Sequence, residues 1–387
     1  MQIYRQSCVV KALICGLLCS LMAGHSCRAS AEGSSVDAIR SLSYDEIPII
    51  LDVIGKKIRD NYARILTWSG EIDKKVTFVH TGSLAEDLFK NDTDANGPPP
   101  EAILQKIEEK CVFAFDADTN SVYFDTLREK PGKWFDYKTG ADLGNSRSHP
   151  DWSTLIARPD FLITVSPQTL HAKENRIIRR KAEKKPPQFQ PSLGSNKGLV
   201  FGDPRGAFFV GTVSWDSLDS LIKRINAYGK IEFDGYAFKM EERTKDNNTI
   251  EYKMIAPGVV NPERSKPEHY ATITRIFSSQ SGFNMIYFEF AAGNGTVLQT
   301  YTWEYESVNG VYLPKRMVAK FYGENGEVTS EYDHTYVKNV LNQKIPPDTF
   351  EYTNLNLKDG DIFIDKILNK EYRYKGDTRT LEPMKKK

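Results

Sequence analysis

The chain has 387 residues, with 52 basic and 51 acidic side chains, and 11% of it is aromatic. This near balance excludes the clear basic excess of a nucleic-acid surface, and the length can supply a large core without disulfide staples. Past the N-terminal stretch there is no second long apolar run, which excludes an integral membrane domain in the remainder.

Residues 1–31 have the three parts of a secretory signal. Arg5 and Lys11 make a positive start, with no acidic residue before Glu32. An apolar stretch runs from Ala12 to about Ala23, and Ala29-Ser30-Ala31 offers a small-x-small cleavage site. The apolar stretch is shorter than the roughly 20 residues of a membrane span. A lipoprotein signal fits poorly, because Cys19 follows Leu18 and Cys27 has Gly24 and His25 upstream. The expected location is therefore periplasmic or secreted. Cleavage removes Cys8, Cys15, Cys19 and Cys27, leaving Cys111, which is expected to be buried. It also removes three basic residues, so the mature chain is slightly acidic.

Residues 32–40 read as a linker, 41–375 as one β-rich domain and 376–387 as a polar tail. Ile47, Ile50, Leu51, Ile54, Ile58, Tyr62 and Ile65 form one helical stripe. Its start has two readings: Ser43 and Glu46 form a capping-box pattern, while Pro48 suits a first turn. A strand is expected over 67–79, with Trp68, Ile72, Val76 and Phe78 set among charged residues. A polar loop follows from about Thr81 to Pro100. A second helix is expected from Pro99 or Pro100, with Ile103, Leu104 and Ile107 as its apolar face. Residues 111–116 and 122–127 read as a hairpin about an Asp-, Thr- and Asn-rich turn. Trp152, Leu155 and Ile156 suggest a short helix stopped by Pro159.

Residues 173–206 are basic and proline-rich, including Arg179-Arg180-Lys181, and read as an exposed loop. A third helix is expected from Ser214 or Asp216, with Leu218, Leu221, Ile222 and Ile225 as its stripe and Gly229 as its stop. Beyond it the chain reads as an antiparallel meander of strands over 231–243, 249–255, 271–278, 283–291, 297–307, 311–322 and 327–340. Asn294-Gly295, Asn309-Gly310 and Asn325-Gly326 supply its tight turns. In 300–306, Tyr301, Trp303 and Tyr305 take one face and Thr302, Glu304 and Glu306 the other. In 283–290, alternation puts Phe283, Met285 and Tyr287 on one face and Ile286, Phe288 and Phe290 on the other. Such a strand needs cover on both sides.

Catalytic and metal motifs are lacking: there is no HExxH helix, paired-cysteine metal site, nucleophile elbow or phosphate loop. Neither catalytic residues nor a cofactor is expected. The histidines past the signal, His80, His149, His171, His269 and His334, are scattered singly. Asp92-Thr93-Asp94-Ala95-Asn96-Gly97 resembles half a calcium loop, but Ile103 stands where a bidentate glutamate belongs, so no metal is expected. Asp116, Asp118 and Asn120 repeat the spacing in a turn, where such residues serve turn chemistry. Glu304 and Glu306 share a strand face, as solvated carboxylates routinely do.

The helix running into Thr67-Trp68-Ser69-Gly70-Glu71 resembles the opening of LolA/LolB-like periplasmic lipoprotein carriers. The hairpin Val308-Asn309-Gly310-Val311-Tyr312-Leu313-Pro314-Lys315 resembles one in lipoprotein-sorting-like exported proteins. Ile345-Pro346-Pro347-Asp348-Thr349-Phe350 and Gly360-Asp361-Ile362-Phe363-Ile364-Asp365 resemble the endings of large exported relatives. These cues cover about a third of the chain, which is roughly twice the length of the usual carrier; the 173–206 segment has no counterpart among them. The resemblance implies a mainly β fold, an open antiparallel half-barrel packed on about three helices, with a concave apolar lining that holds a lipid or lipoprotein acyl chain. Trp68, Phe115, Tyr287 and Trp303 are the lining candidates, chosen for bulk and strand position. The alternative is an envelope-associated interaction protein with a filled core and a protein partner; a hydrolase is the more remote reading.

Overall fold

Strands carry most of the described chain, and the period-two alternation of the sequence decides which side of the sheet each residue takes. The computed structural model describes residues 38–92, 98–146, 152–165, 175–182, 222, 232–233, 236–245, 247–259 and 270–384. The signal expected at 1–31, 93–97 of the calcium-like string, 173–174 and 183–206 of the basic segment and all but Ile222 of the expected 214–229 helix lie outside them. The described residues fall in one compact unit.

A short strand β1 (Ala38–Ser41) leads to helix α1 (Glu46–Ala63), strand β2 (Thr67–Thr81) and helix α2 (Gly82–Asp92). Six strands follow: β3 (Ala102–Asp116), β4 (Ser121–Leu127), β5 (Lys133–Asp136), β6 (Asp142–Asn145), β7 (Trp152–Ala157) and β8 (Phe161–Val165). Next come β9 (Arg176–Lys181), a small separate pair β10 (Glu232–Phe233) and β11 (Tyr236–Ala237), and β12 (Lys239–Thr244). The meander is β13 (Ile250–Val259), β14 (Tyr270–Ser278), β15 (Met285–Ala292), β16 (Val297–Val308), β17 (Val311–Tyr322) and β18 (Val328–Leu341). The chain ends in β19 (Ile362–Asp365), β20 (Lys370–Lys375) and β21 (Thr380–Pro383).

Pairing starts at β1, passes to β12, and then follows chain order to β18. There β18 pairs with β2, and β2 with β3 over their full lengths. The sheet forks at β3: its second half pairs with β4 and its first half with β5, which carries β6. From β4 the order continues through β7, β8 and β9 to β19, β20 and β21. The result is a mainly β protein built on one large, open, antiparallel-dominated sheet. Among the described residues only β9 and β19 pair in parallel.

Helix α1 forms where the stripe places it. Ser43 and Glu46 do make the capping box: Glu46 Oε2 accepts from Ser43 N at 2.9 Å, and Ser43 Oγ from Glu46 N at 3.4 Å. The helix itself runs from Glu46, which puts Pro48 in its first turn. Ser43 and Arg40 together hold the Glu46 carboxyl down at about 2. Ile47, Leu51, Ile54, Ile58 and Tyr62 are at most 2% exposed; burying each such side chain is worth about 1.5–3 kcal/mol. They pack on the sheet side that carries Trp68, Phe115, Met254, Met285 and Trp303. A second apolar cluster, including Tyr123, Ile156, Ile163, Ile177, Phe350 and Phe363, joins β4, β7, β8, β9 and β19 to the short turns at 347–354.

The described residues hold two α-helices, and the structure corrects several sequence expectations. Ile103, Leu104 and Ile107 lie in β3, not a helix: positions four apart share a side in a strand as well as in a helix, and β2 supplies a full-length partner. The expected loop after Thr81 contains α2, whose buried Ala85 and Phe89 are spaced i, i+4. Trp152, Leu155 and Ile156 belong to β7, where flanking strands β4 and β8 and cover on both sides make a short apolar run. Arg179-Arg180-Lys181 ends strand β9 and is not in a loop; likewise 380–383 of the tail pairs as β21.

Candidate functional site

The side of the sheet facing α1 carries the candidate site. On β2, alternation turns Trp68, Gly70, Ile72, Lys74, Val76, Phe78 and His80 to that side. Trp68 stands opposite Phe115 on β3 and Leu341 on β18. Its ring stacks on Tyr336 at 6.2 Å and meets Phe113 edge-on at 4.6 Å, while Nε1 donates to Asn339 Oδ1 at 2.9 Å. Trp303 lies on β16, stacked on Tyr301 at 5.7 Å. Trp68, Phe115 and Trp303 are 2%, 1% and 5% exposed and share one apolar cluster.

Tyr287 is not with them. Phe277 pairs with Met285 and Ile276 with Tyr287, so Ile286 is the extra residue of a β-bulge. The bulge shifts the alternation by one: Phe283, Met285, Phe288 and Phe290 all pack on the α1 side, leaving Tyr287 and Glu289 on the other. That strand therefore does not need apolar cover on both sides. Tyr287 donates to Glu289 Oε2 at 2.6 Å in an open groove with Thr300, Tyr322 and Glu324.

Two rows cross the α1 side. The first is a chain of rings: Phe288, Tyr301, Phe321, Tyr332, Phe78, His80 and Trp134 follow one another at centroid distances of 5.6, 6.0, 5.9, 5.8, 6.1 and 5.6 Å. Its ends are buried, but Phe321, Tyr332, Phe78 and His80 are only half-buried. The second row is set by register: Trp303 opposite Met317, Met317 opposite His334, His334 opposite Lys74, and Lys74 opposite Glu109. Glu109 continues it to Arg128, just past β4, at 3.6 Å. Lys74 is 6% exposed, and its Nζ donates to Thr126 Oγ1 at 3.4 Å. Burial, reinforced by the charge of Lys74, pushes His334 down to about 3, so it is neutral at physiological pH. Desolvation lowers His80 as well.

The sequence reading missed this ionic row, although its signal is present. Lys74 occupies the inward phase of the Trp68–Ile72–Val76 alternation, whose apolar members alone mark the strand.

Other candidates have ordinary roles. Asp92 Oδ2 accepts from Trp134 Nε1 at 3.1 Å and Ser146 Oγ at 2.6 Å, joining α2 to β5 and β6. Asp116 Oδ1 accepts from the backbone of Asp118 and Thr119, and Asn120 has φ of +46°, which is turn chemistry. Glu304 pairs with Arg316 at 3.7 Å, and Glu306 accepts from Asn339 Nδ2 at 2.7 Å. Cys111 is buried. His149, His171 and His269 lie outside the described residues, among which no group of three metal-ligating side chains occurs.

No family model and no curated protein matches the chain. Solved structures to which it is similar include a LolA superfamily protein from Nitrosomonas europaea, at 10% identity and a TM-score of 0.32, covering 79% of this chain and 99% of that one. A DUF1329 family protein from Desulfovibrio piger has 9% identity and a TM-score of 0.33, covering 81% and 100%. An outer membrane lipoprotein-sorting protein domain from Vibrio parahaemolyticus has 8% identity and a TM-score of 0.30, covering 77% and 95%.

Proposed function

We propose that the chain is an exported, non-catalytic carrier or binding protein that holds a lipid, an acyl chain or another hydrophobe against the α1 side of its sheet. The observation that carries this reading is the ring row, whose middle members stay half-buried although they adjoin a fully packed core. Covering them with an apolar chain removes area from water, worth about 25 cal/mol per Å² before ordering costs. No acid, base or nucleophile is needed. The secretory pattern of residues 1–31 supports a periplasmic or secreted location.

Native mass spectrometry with lipid extraction, on protein purified from a bacterial periplasm without detergent, tests this. A reproducible co-purifying lipid is expected, lost in Phe321→Glu with the far-ultraviolet spectrum unchanged. Protein that arrives empty, and stays empty when offered acyl lipids, overturns it.

A second reading, an envelope protein-interaction module, is favoured by a different observation. Directly beneath α1 the interior is filled, while Ile49 and Val53, one turn apart on the outer side of that helix, are 65% and 41% exposed. An empty protein that binds an envelope partner through Ile49 and Val53 would establish it.

A further inference from the structure

Resting on the carrier reading, we propose that the row through Lys74 is a head-group site, and that the ligand is an amphiphile with one anionic head, carboxylate or phosphate, whose tail lies along the rings.

Lys74 is 6% exposed, yet its single hydrogen bond goes to a hydroxyl, Thr126 Oγ1, at the long distance of 3.4 Å, and among the described residues it forms no ion pair. A charge withdrawn from water is expensive unless it is paired and hydrogen-bonded. The nearest acidic position by register, Glu109, is engaged by Arg128 at 3.6 Å. Across the other edge of β2 stands His334, which is neutral and so supplies no counter-charge. Asp333, its neighbour on β18, points to the opposite side, where Arg316 binds both of its oxygens at 2.8 and 2.9 Å. Within the row, the one carboxylate, Glu109, is thus held by Arg128, and none is paired with Lys74.

An anion docked on Lys74 supplies the missing charge and accepts charge-assisted hydrogen bonds, the stronger kind. The geometry then orders the rest of the ligand. Val76 and Tyr332 lie two positions along their strands from Lys74 and His334, and Phe78 lies four, or about 13 Å, from Lys74. A tail leaving the head in that direction runs onto the half-buried part of the ring row. In the other direction it meets Ile72, Trp68 and Tyr336, which are already packed. Head and tail sites are therefore consecutive layers of one sheet side.

The test compares amphiphiles with the same twelve-carbon tail: dodecanoate, dodecyl phosphate, dodecanol and dodecyltrimethylammonium, titrated calorimetrically into delipidated protein. The two anions are expected to bind about tenfold or more tightly than dodecanol, and the cation more weakly than dodecanol. Lys74→Met is expected to erase the preference for anions while leaving dodecanol within about twofold, and Lys74→Arg to keep the preference. Lys74→Gln gives the same reading if the methionine variant does not fold. A preference for one anion over the other identifies the head as carboxylate or phosphate. Equal binding of dodecanoate and dodecanol by the unaltered protein, or a preference that survives Lys74→Met and Lys74→Gln, overturns the head-group site and leaves the carrier reading standing. Failure of all four probes to bind overturns both.

Discussion

Asn61 holds the backbone of Tyr312 at both ends of its amide: Nδ2 donates to Tyr312 O at 3.0 Å, and Oδ1 accepts from Tyr312 N at 2.7 Å. A side chain on α1 thereby takes the place of a neighbouring strand for the first turn of β17. Arg64 continues the clamp by donating to Asn309 O and Gly310 O at 3.0 and 2.9 Å. The long helix is thus fastened to one tight turn, not only laid over a greasy surface.

Replacing Asn61 by alanine removes two hydrogen bonds at a 6% exposed position and strands a backbone donor and acceptor. The expected loss is about 2–4 kcal/mol, read as a lower urea midpoint with an unchanged slope. A change below about 0.5 kcal/mol would mean that water replaces the amide and that the clamp is not structural.

The bulge at Ile286 gives a contrast between aromatic residues. Trp68→Ala and Trp303→Ala open cavities in the packed cluster and are expected to cost about 3–5 kcal/mol each. Tyr287→Ala, on the other side of the sheet, is expected to cost about 1 kcal/mol or less. Chemical denaturation of the three variants checks this; equal losses would place Tyr287 in the core after all.

Acid sensitivity should appear before the carboxylates titrate. His334 has a folded value near 3 against 6.5 when free, so the unfolded chain binds its proton first. The stabilising difference is complete above about pH 6.5 and is lost as pH falls toward 3. The slope is at most about 1.4 kcal/mol per pH unit. His80 acts in the same direction. Melting temperature should therefore fall between pH 6.5 and 4.5, and His334→Gln should flatten that fall. An identical fall in the variant would assign the effect elsewhere.

Cys111 is fully buried between Ile72 and Thr126 on adjoining strands. In a chain that begins at Glu32, where it is the one cysteine, its thiol is expected to resist a thiol reagent in the folded protein and to react at one equivalent in denaturant. Rapid labelling of the native protein would show that this part of the sheet opens.

How much of this is legible before any coordinates depends on whether a feature leaves a periodic mark. The meander does: Asn309 and Gly310 both take positive φ in the turn where the dipeptide predicts them, and β17 keeps the expected bounds. The helix stripe from Ile47 to Ile65 does as well. The bulge leaves no such mark, because one inserted residue changes no composition, and Tyr287 is assigned to the wrong side as a result. Ile103 and Ile107 mislead because a spacing of four serves both periods. The ionic row is half legible: alternation turns Lys74 inward, but its company of His334, Glu109 and Arg128 comes from three other segments and follows only from register.

The parallel seam between β9 and β19 has a consequence for how the chain becomes complete. Asp361 accepts from Asn175, and Asp365 from Arg179 at 3.2 Å, each across 186 residues. Both carboxylates are nearly buried, at 1% and 2% exposure, and Phe363 fills the cluster between them. During synthesis β9 emerges long before its neighbour and must wait as a bare strand edge, paired on one side with β8. Such an edge recruits other chains, and the three basic residues that close it, Arg179, Arg180 and Lys181, repel a second copy of itself. A segment 186 residues further on seals it, so a chain cut short of Gly360 would keep the cluster beneath its helix yet lose Phe363 from the second one and display a permanent sticky border.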